Sequence, residues 1–234
     1  MGYRSTELVK NKYTALAVQF ENVDQTEIPV KDLISITGSF TTGKTVDEGG
    51  DQIWKWDPNA SDWIKYYYRG GRGIDAALVG WTKDGEDKIT TETVKAGEVV
   101  FFKLAGDTTT ATLSGAVKPF AGTVKTTCVK NMYTYLAYPW PVAMKIKDFG
   151  NYLDGEFVTG KTVDEGGDQI WVWDSNKSDW IKYYYRGGRG IDAALVGWTK
   201  DGEDSPTEES IDPGVGFFFK RAGDTAVVTF TYDK

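Results

Sequence analysis

The chain repeats itself, and that constrains its fold more than any single motif. Thr42–Asp87 returns as Thr159–Asp204, an offset of 117 residues, and over these 46 positions only Lys55/Val172, Pro58/Ser175 and Ala60/Lys177 differ. A weaker match follows, pairing residues 96–107 with 213–224, and another precedes it, pairing Lys10–Thr14 with Lys130–Thr134. Self-similarity at a fixed period is read before anything else, because it sets the size of the folding unit. The 234 residues therefore divide into 1–117 and 118–234, joined near Val117-Lys118-Pro119. About 100–120 residues suffice for a sandwich or small barrel with its own core. The similarity is uneven: the middle block is nearly unchanged and its flanks have diverged. Either the block was recopied or both copies need one surface, since core packing alone does not demand identical loops.

Within each copy the pattern is β. Short segments of period two are bounded by Gly, Asp and Asn. Tyr13–Val18 alternates and opens the first copy. Asp51–Trp56 and Asp62–Arg69 read as a hairpin about the turn Asp57-Pro58-Asn59-Ala60-Ser61, whose Pro and Asx residues suit a turn. Arg69-Gly70-Gly71-Arg72-Gly73 is a loop, and Asp75–Leu78 is expected to form one helical turn capped by Asp75. Val99–Leu104 and Thr110–Leu113 are further strands. The fold expected is all-β: two tandem β-sandwich (or small barrel) domains related by internal duplication, with about five to eight strands each.

The two copies also assign faces. Lys55 is replaced by Val172, so that side of its strand is expected to face water, with Trp54 and Trp56 in the core. In the next strand Ile64, Tyr66 and Tyr68 form the inner face; Trp63, Lys65, Tyr67 and Arg69 form the outer one, because unpaired buried charge is costly. Val100, Phe102, Ala111 and Leu113 become Phe217, Phe219, Val228 and Phe230, all apolar, and read as core.

Composition removes several functions. There is no histidine, which excludes Ser-His-Asp and Cys-His catalysis and the commonest zinc ligand. A single cysteine, Cys128, allows no intrachain disulfide and reads as a small buried hydrophobe. The net charge of -7 argues against nucleic acid. No apolar run approaches the ~20 residues of a membrane span. Met1–Ser5 shows no signal region, so an exported form would carry a leader outside this sequence.

The candidate ligand-binding residues are Trp63, Tyr67 and Arg69, with Arg72 nearby, and their copies Trp180, Tyr184 and Arg186. Flat aromatic faces beside polar groups suit sugar rings, and Trp and Tyr also anchor protein interfaces. The structural alternative is a cross-strand ladder covering the sheet, or a face buried against the other copy. The acidic residues Asp47, Glu48, Asp51, Asp84, Glu86 and Asp87 do not have EF-hand spacing and read as solvated turn carboxylates. Gly38–Thr45 fits a bare phosphate-loop pattern, but its β context and the second copy argue against one. No catalytic residue, metal site or cofactor is expected.

Gly50–Asp57, the Tyr66–Tyr68 run and Gly97–Gly106, with their copies Gly167–Asp174, Tyr183–Tyr185 and Gly214–Gly223, resemble a group of uncharacterised exported tandem β-domain proteins of Gram-negative environmental and gut bacteria. That resemblance implies a secreted or cell-surface location and transfers no ligand, activity or site residue. The expected function is a non-catalytic extracellular structural or adhesive module that self-assembles or binds a surface, with other protein subunits or surface glycans as partners. Bivalent carbohydrate binding through exposed aromatics is the first alternative, and a glycoside-active enzyme the second.

Overall fold

A computed structural model describes residues 2–21, 27–71, 78–117, 123–188 and 195–231. The chain separates into two compact units, Met1–Lys118 and Pro119–Lys234. The helical turn expected at Asp75–Leu78 lies outside the described residues except for Leu78, and Arg72 lies outside them too.

Among the described residues the first unit runs β1 (Gly2–Leu8), β2 (Tyr13–Ala17), β3 (Phe20–Glu21), β4 (Glu27–Pro29), β5 (Ser35–Ile36), β6 (Gln52–Asp57), β7 (Asp62–Arg69), β8 (Gly80–Lys83), β9 (Thr93–Lys95), β10 (Val99–Lys103) and β11 (Thr109–Val117). The main sheet is antiparallel and open, in the order β2-β10-β6-β7-β8. A second sheet is built on β11, with β1 on one side and β3 and β5 also paired to it. Inward side chains of both sheets share one core: Leu16, Ile53, Tyr66, Trp81, Val100 and Phe102 from the first, Leu8, Ala111 and Leu113 from the second. Alternation along each strand produces this division, because successive side chains of a strand point to opposite faces.

The second unit repeats the main-sheet order with β13 (Tyr133–Ala137), β19 (Gly216–Lys220), β15 (Gln169–Asp174), β16 (Asp179–Arg186) and β17 (Gly197–Lys200). Beside it lie β12 (Thr123–Cys128) paired with β20 (Ala226–Thr231), and β14 (Met144–Lys145) paired with β18 (Ser210–Ile211). A 3-10 helix, Ile146–Tyr152, puts Phe149 into a core that also buries Phe217, Phe219 and Phe230. Cys128 is fully buried in that core, and desolvation pushes its thiol up to about 11. No sheet among the described residues closes into a barrel, and no helix among them is long and apolar enough to cross a membrane.

The β6–β7 hairpin forms where the turn chemistry put it. The Asp57 carboxylate accepts the Asn59 and Ala60 N–H groups at 2.9 and 3.4 Å, and Ser61 takes a positive φ of 50° to complete the reversal. The loop before β6 is pinned by glycines. A Cβ on Gly43 would sit 1.9 Å from the Gly49 carbonyl oxygen, and Gly50 has φ +88°. Gly43 bridges to Arg69, and Thr45 Oγ accepts the Glu48 N–H at 3.1 Å, so this segment is a closed turn rather than a phosphate cradle.

Four expectations need correction. The strands outnumber the five to eight expected, because several two- and three-residue pieces complete the smaller sheets. Each unit opens one strand earlier than Tyr13, with β1 and β12. The faces of β6 are inverted: Ile53 is fully buried in the core, so Lys55 shares the inner face and Trp54 and Trp56 the outer. Lys55 reaches the edge of that face and meets Glu98 at 3.0 Å and the Thr93 carbonyl at 3.3 Å; its copy Val172 packs on the second core. Asp51 is not a solvated turn carboxylate. It is fully buried and accepts the Thr41 and Ala105 N–H groups, each at 2.7 Å. Burial raises its carboxyl above the ordinary range despite these bonds.

Candidate functional site: the outer face of the main sheet

The register of the main sheet stacks side chains of one parity on its outer face. Trp56 lies opposite Trp63, Trp54 opposite Lys65, and Gln52 opposite Tyr67. On the other side of β6, Phe101 lies opposite Trp54, and beyond it β2 contributes Tyr13. The result is a continuous aromatic layer. Trp63 sits edge-on to Trp56 and Phe101 at ring distances of 5.1 and 5.4 Å, and Tyr13 meets Trp54 at 5.0 Å. Such T-shaped pairs set the negative face of one ring against the positive edge of the next. Tyr13, Trp54, Trp56 and Trp63 are each half-buried, so this layer is part core and part surface.

Cations lie on the layer. Lys65 Nζ stands 4.6 Å from the Trp54 ring centre and Lys103 Nζ 5.4 Å from that of Tyr13. The second unit reproduces the arrangement: Lys182 over Trp171 at 4.4 Å, Lys220 over Tyr133 at 5.4 Å, and Trp180 against Trp173 at 5.1 Å and Phe218 at 5.3 Å. There the face gains one ring, because Ala15 is replaced by Tyr135, which stacks on Phe218 at 4.3 Å.

The six residues singled out from sequence do not converge. Trp63 and Arg69 stand at opposite ends of one strand, about 20 Å apart at ~3.3 Å per residue. Trp63 and Trp180 belong to the aromatic layer. Tyr67 and Tyr184 are buried, at 4% and 5% exposure, and desolvation raises the Tyr67 phenol above its ordinary range. Beside them Gln52 is held by the preceding loop: its Nε2 donates to the Val46 carbonyl at 2.6 Å, and its Oε1 accepts the Trp54 indole N–H at 2.9 Å. Arg69 and Arg186 fasten loops, reaching Asp87 at 3.3 Å and the Asp204 carbonyl at 2.8 Å. Tyr13, Trp54, Trp56 and Phe101 were missing from the expected surface. The alternation Gln-Ile-Trp-x-Trp held the signal, with Ile53 as the core residue and the tryptophans opposite it.

Titratable groups cluster elsewhere. Tyr66 donates to Glu92, which also accepts Lys83 Nζ at 2.6 Å; Tyr183, Glu209 and Lys200 repeat this, again at 2.6 Å for the lysine. Burial, reinforced by the glutamate, raises both phenols far above their ordinary value. Each group is consumed by its neighbours, so the trio ties β7 to β8 and the Glu92 segment. Among the described residues no group of three or more His, Cys, Asp or Glu side chains converges as a metal site. No protein-family model, curated protein or solved structure matches the chain.

Proposed function

We propose that this chain is a non-catalytic adhesive module, exported or at the cell surface. It descends from one duplicated β-sandwich and grips a repeated saccharide surface with two copies of one aromatic face. The observation that carries the reading is where the face ends. Trp54, Trp56, Trp63 and Lys65 lie inside the nearly identical 46-residue block, but Tyr13 and Phe101 lie outside it. Recopying of the block would not preserve those two, yet their counterparts are Tyr133 and Phe218. Core positions outside it are mixed: Leu16 and Phe102 recur as Leu136 and Phe219, whereas Val100 and Leu113 become Phe217 and Phe230. The rings of the outer face are kept or added to on both sides of the block's boundary, Tyr135 standing where the first unit has Ala15.

Half-exposed rings with interleaved ammonium groups suit pyranoses, whose C–H faces pack on π surfaces while their hydroxyls bond to the polar rim. Two weak sites on one chain gain avidity, which raises overall binding by about 10²–10⁴ when both engage. The test is affinity electrophoresis through gels containing xylan, mixed-linkage β-glucan or galactomannan. Retardation by at least one polysaccharide is expected, weakened by Trp63→Ala or Trp180→Ala alone by tenfold or more and abolished by both. Unretarded migration in every gel would refute saccharide binding. A second reading, association of copies through the same faces, is favoured by their tryptophan density. Sedimentation velocity tests it: a concentration-dependent rise in mass, lost in the double variant, is the expected mark.

A further inference from the structure

In the second unit β16 runs past the end of its neighbour. β17 pairs with Tyr183–Arg186 and then turns away, as Asp201 donates its N–H to the Lys182 carbonyl at 2.9 Å. Asp179–Lys182 therefore border an open notch of about 320 Å³, closed on the far sides by the hairpin turn with Lys177 and by Asp201. That volume falls at the lower end of the ~300–1,000 Å³ typical of ligand sites, enough for one or two small rings.

Three features of the lining define an occupant. First, Trp180 and Ile181 are the apolar residues of the lining, and Trp180 packs against Trp173 and Phe218. Second, the walls carry three carboxylates and three ammonium groups, Asp174, Asp179 and Asp201 against Lys177, Lys182 and Lys200, so no net charge selects an ion. Third, the notch does not invite an added β-strand. The Trp180 N–H, which a new strand would need, is already taken by the Asp179 carboxylate at 2.7 Å. A ligand that is uncharged, has an apolar face and carries many hydroxyls satisfies all three.

We infer that this notch is a saccharide subsite holding a pyranose of a neutral glycan, with Trp180 as its wall and Asp179 and Asp201 as hydroxyl partners. The inference rests on the adhesive reading above and deepens it by locating the contact. In the first unit the same lining recurs as Asp57, Asp62, Trp63, Ile64, Lys65, Lys83 and Asp84, with Ala60 where the second has Lys177. The three differences within the repeated block all fall between positions 55 and 60, and the Ala60/Lys177 pair stands at the notch itself.

The experiment is calorimetric titration of the full chain carrying Trp63→Ala, which removes the first unit's wall. The probes are cellohexaose, xylohexaose, mannohexaose and maltohexaose, with hexagalacturonate as the charged comparison. One neutral hexasaccharide should bind with a stoichiometry of one. Asp201→Ala, an exposed change that spares the fold, should weaken it threefold or more, and Trp180→Ala tenfold or more. Four outcomes overturn the inference: no neutral probe binds, hexagalacturonate binds tighter, two ligands bind per chain, or Asp201→Ala changes affinity less than threefold. If Asp201→Ala is silent while Trp171→Ala abolishes binding, the adhesive reading stands and the contact belongs to the open aromatic face instead. If the gels also show no retardation, both fall together.

Discussion

Replacing Arg221 by leucine asks what a buried charge contributes where the molecule carries its own control. Arg221 is 5% exposed; its Nη1 donates to the fully buried Asp168 at 2.5 Å and its Nε to the Asp224 carbonyl at 2.9 Å. Removing one partner of a buried ion pair ordinarily costs about 3–5 kcal/mol, because the remaining charge is stranded. Asp168 would not be stranded. It still accepts the Val158 and Ala222 N–H groups at 2.9 and 2.7 Å, matching the two bonds that hold Asp51. In the first unit the counterpart of Arg221 is Leu104, buried beside Asp51. Arg221→Leu should therefore cost only about 1–3 kcal/mol, the lost charge-assisted bonds being offset by a buried leucine. Cys128, the sole cysteine, is buried in this unit's core and reports on this unit alone. Its alkylation under conditions where opening is in rapid equilibrium should accelerate by about 5- to 150-fold, at ~1.36 kcal/mol per tenfold. No acceleration, or more than a thousandfold, would refute the reasoning. The mirror change, Leu104→Arg, should lower the raised Asp51 carboxyl. A carboxyl whose folded value is raised binds its proton more tightly in the folded chain, so stability falls as pH climbs between the unfolded and folded values. Leu104→Arg should flatten that fall in urea midpoints taken from pH 4 to 7.

Three further outcomes are expected. Lys55→Val and Glu98→Val should each cost about 0.5–1 kcal/mol in urea unfolding, while the double variant returns to within ~0.5 kcal/mol of the parent; the second unit has Val172 and Val215 at these positions, both against its core. Glu209→Gln should cost about 0.5–1 kcal/mol at neutral pH, a value kept small because the pair is open to solvent. The hydrogen bonds from Lys200 and then Tyr183 hold the Glu209 carboxyl below its ordinary range, so its contribution is complete above an unfolded value near ~4.3 and disappears as pH falls through the folded one. Gly43→Ala should open the loop before β6, measured as faster proteolysis between Thr42 and Asp51, because backbone rather than a flexible side chain blocks the new methyl.

The β pattern, the hairpin at Asp57–Ser61 and the core residues Val100, Phe102, Ala111 and Leu113 were legible because alternation and turn chemistry act locally. The face of β6 was not, because replacement of Lys55 by Val172 suggests a side turned to water. At the rim of a core a lysine keeps its stem inside and carries its charge to Glu98, so charge there says little about direction. Ile53, the aliphatic residue of Gln52-Ile53-Trp54-Lys55-Trp56, is the better guide. Asp51 misled for a related reason. Acidic residues around glycines look like a solvated turn, and nothing local announces that the backbone N–H groups of Thr41 and Ala105 will close around one of them. Tyr67 shares a face with Lys65, which suggests exposure, yet it is buried opposite Gln52, whose side chain is bonded to the Val46 carbonyl.

These exchanges bear on why the aromatic face recurs in the second unit. The two units accept Asp–Arg in place of Asp beside Leu, Val–Val in place of Lys–Glu, and three larger apolar side chains in place of Val100, Ala111 and Leu113. One main-sheet strand order thus recurs with charge traded for hydrocarbon and small core residues for large ones, the hydrophobic pattern being kept. On the outer face, Trp56 meeting Trp63 edge-on contributes about 0.5–1.5 kcal/mol and an ammonium lying over Trp54 about 0.5–1 kcal/mol. Other β-branched or aromatic pairs would cover an outer sheet face at a cost of about 1 kcal/mol or less. Recurrence of those rings in the same register, on both sides of the repeated block's boundary, is what the proposed contact face requires.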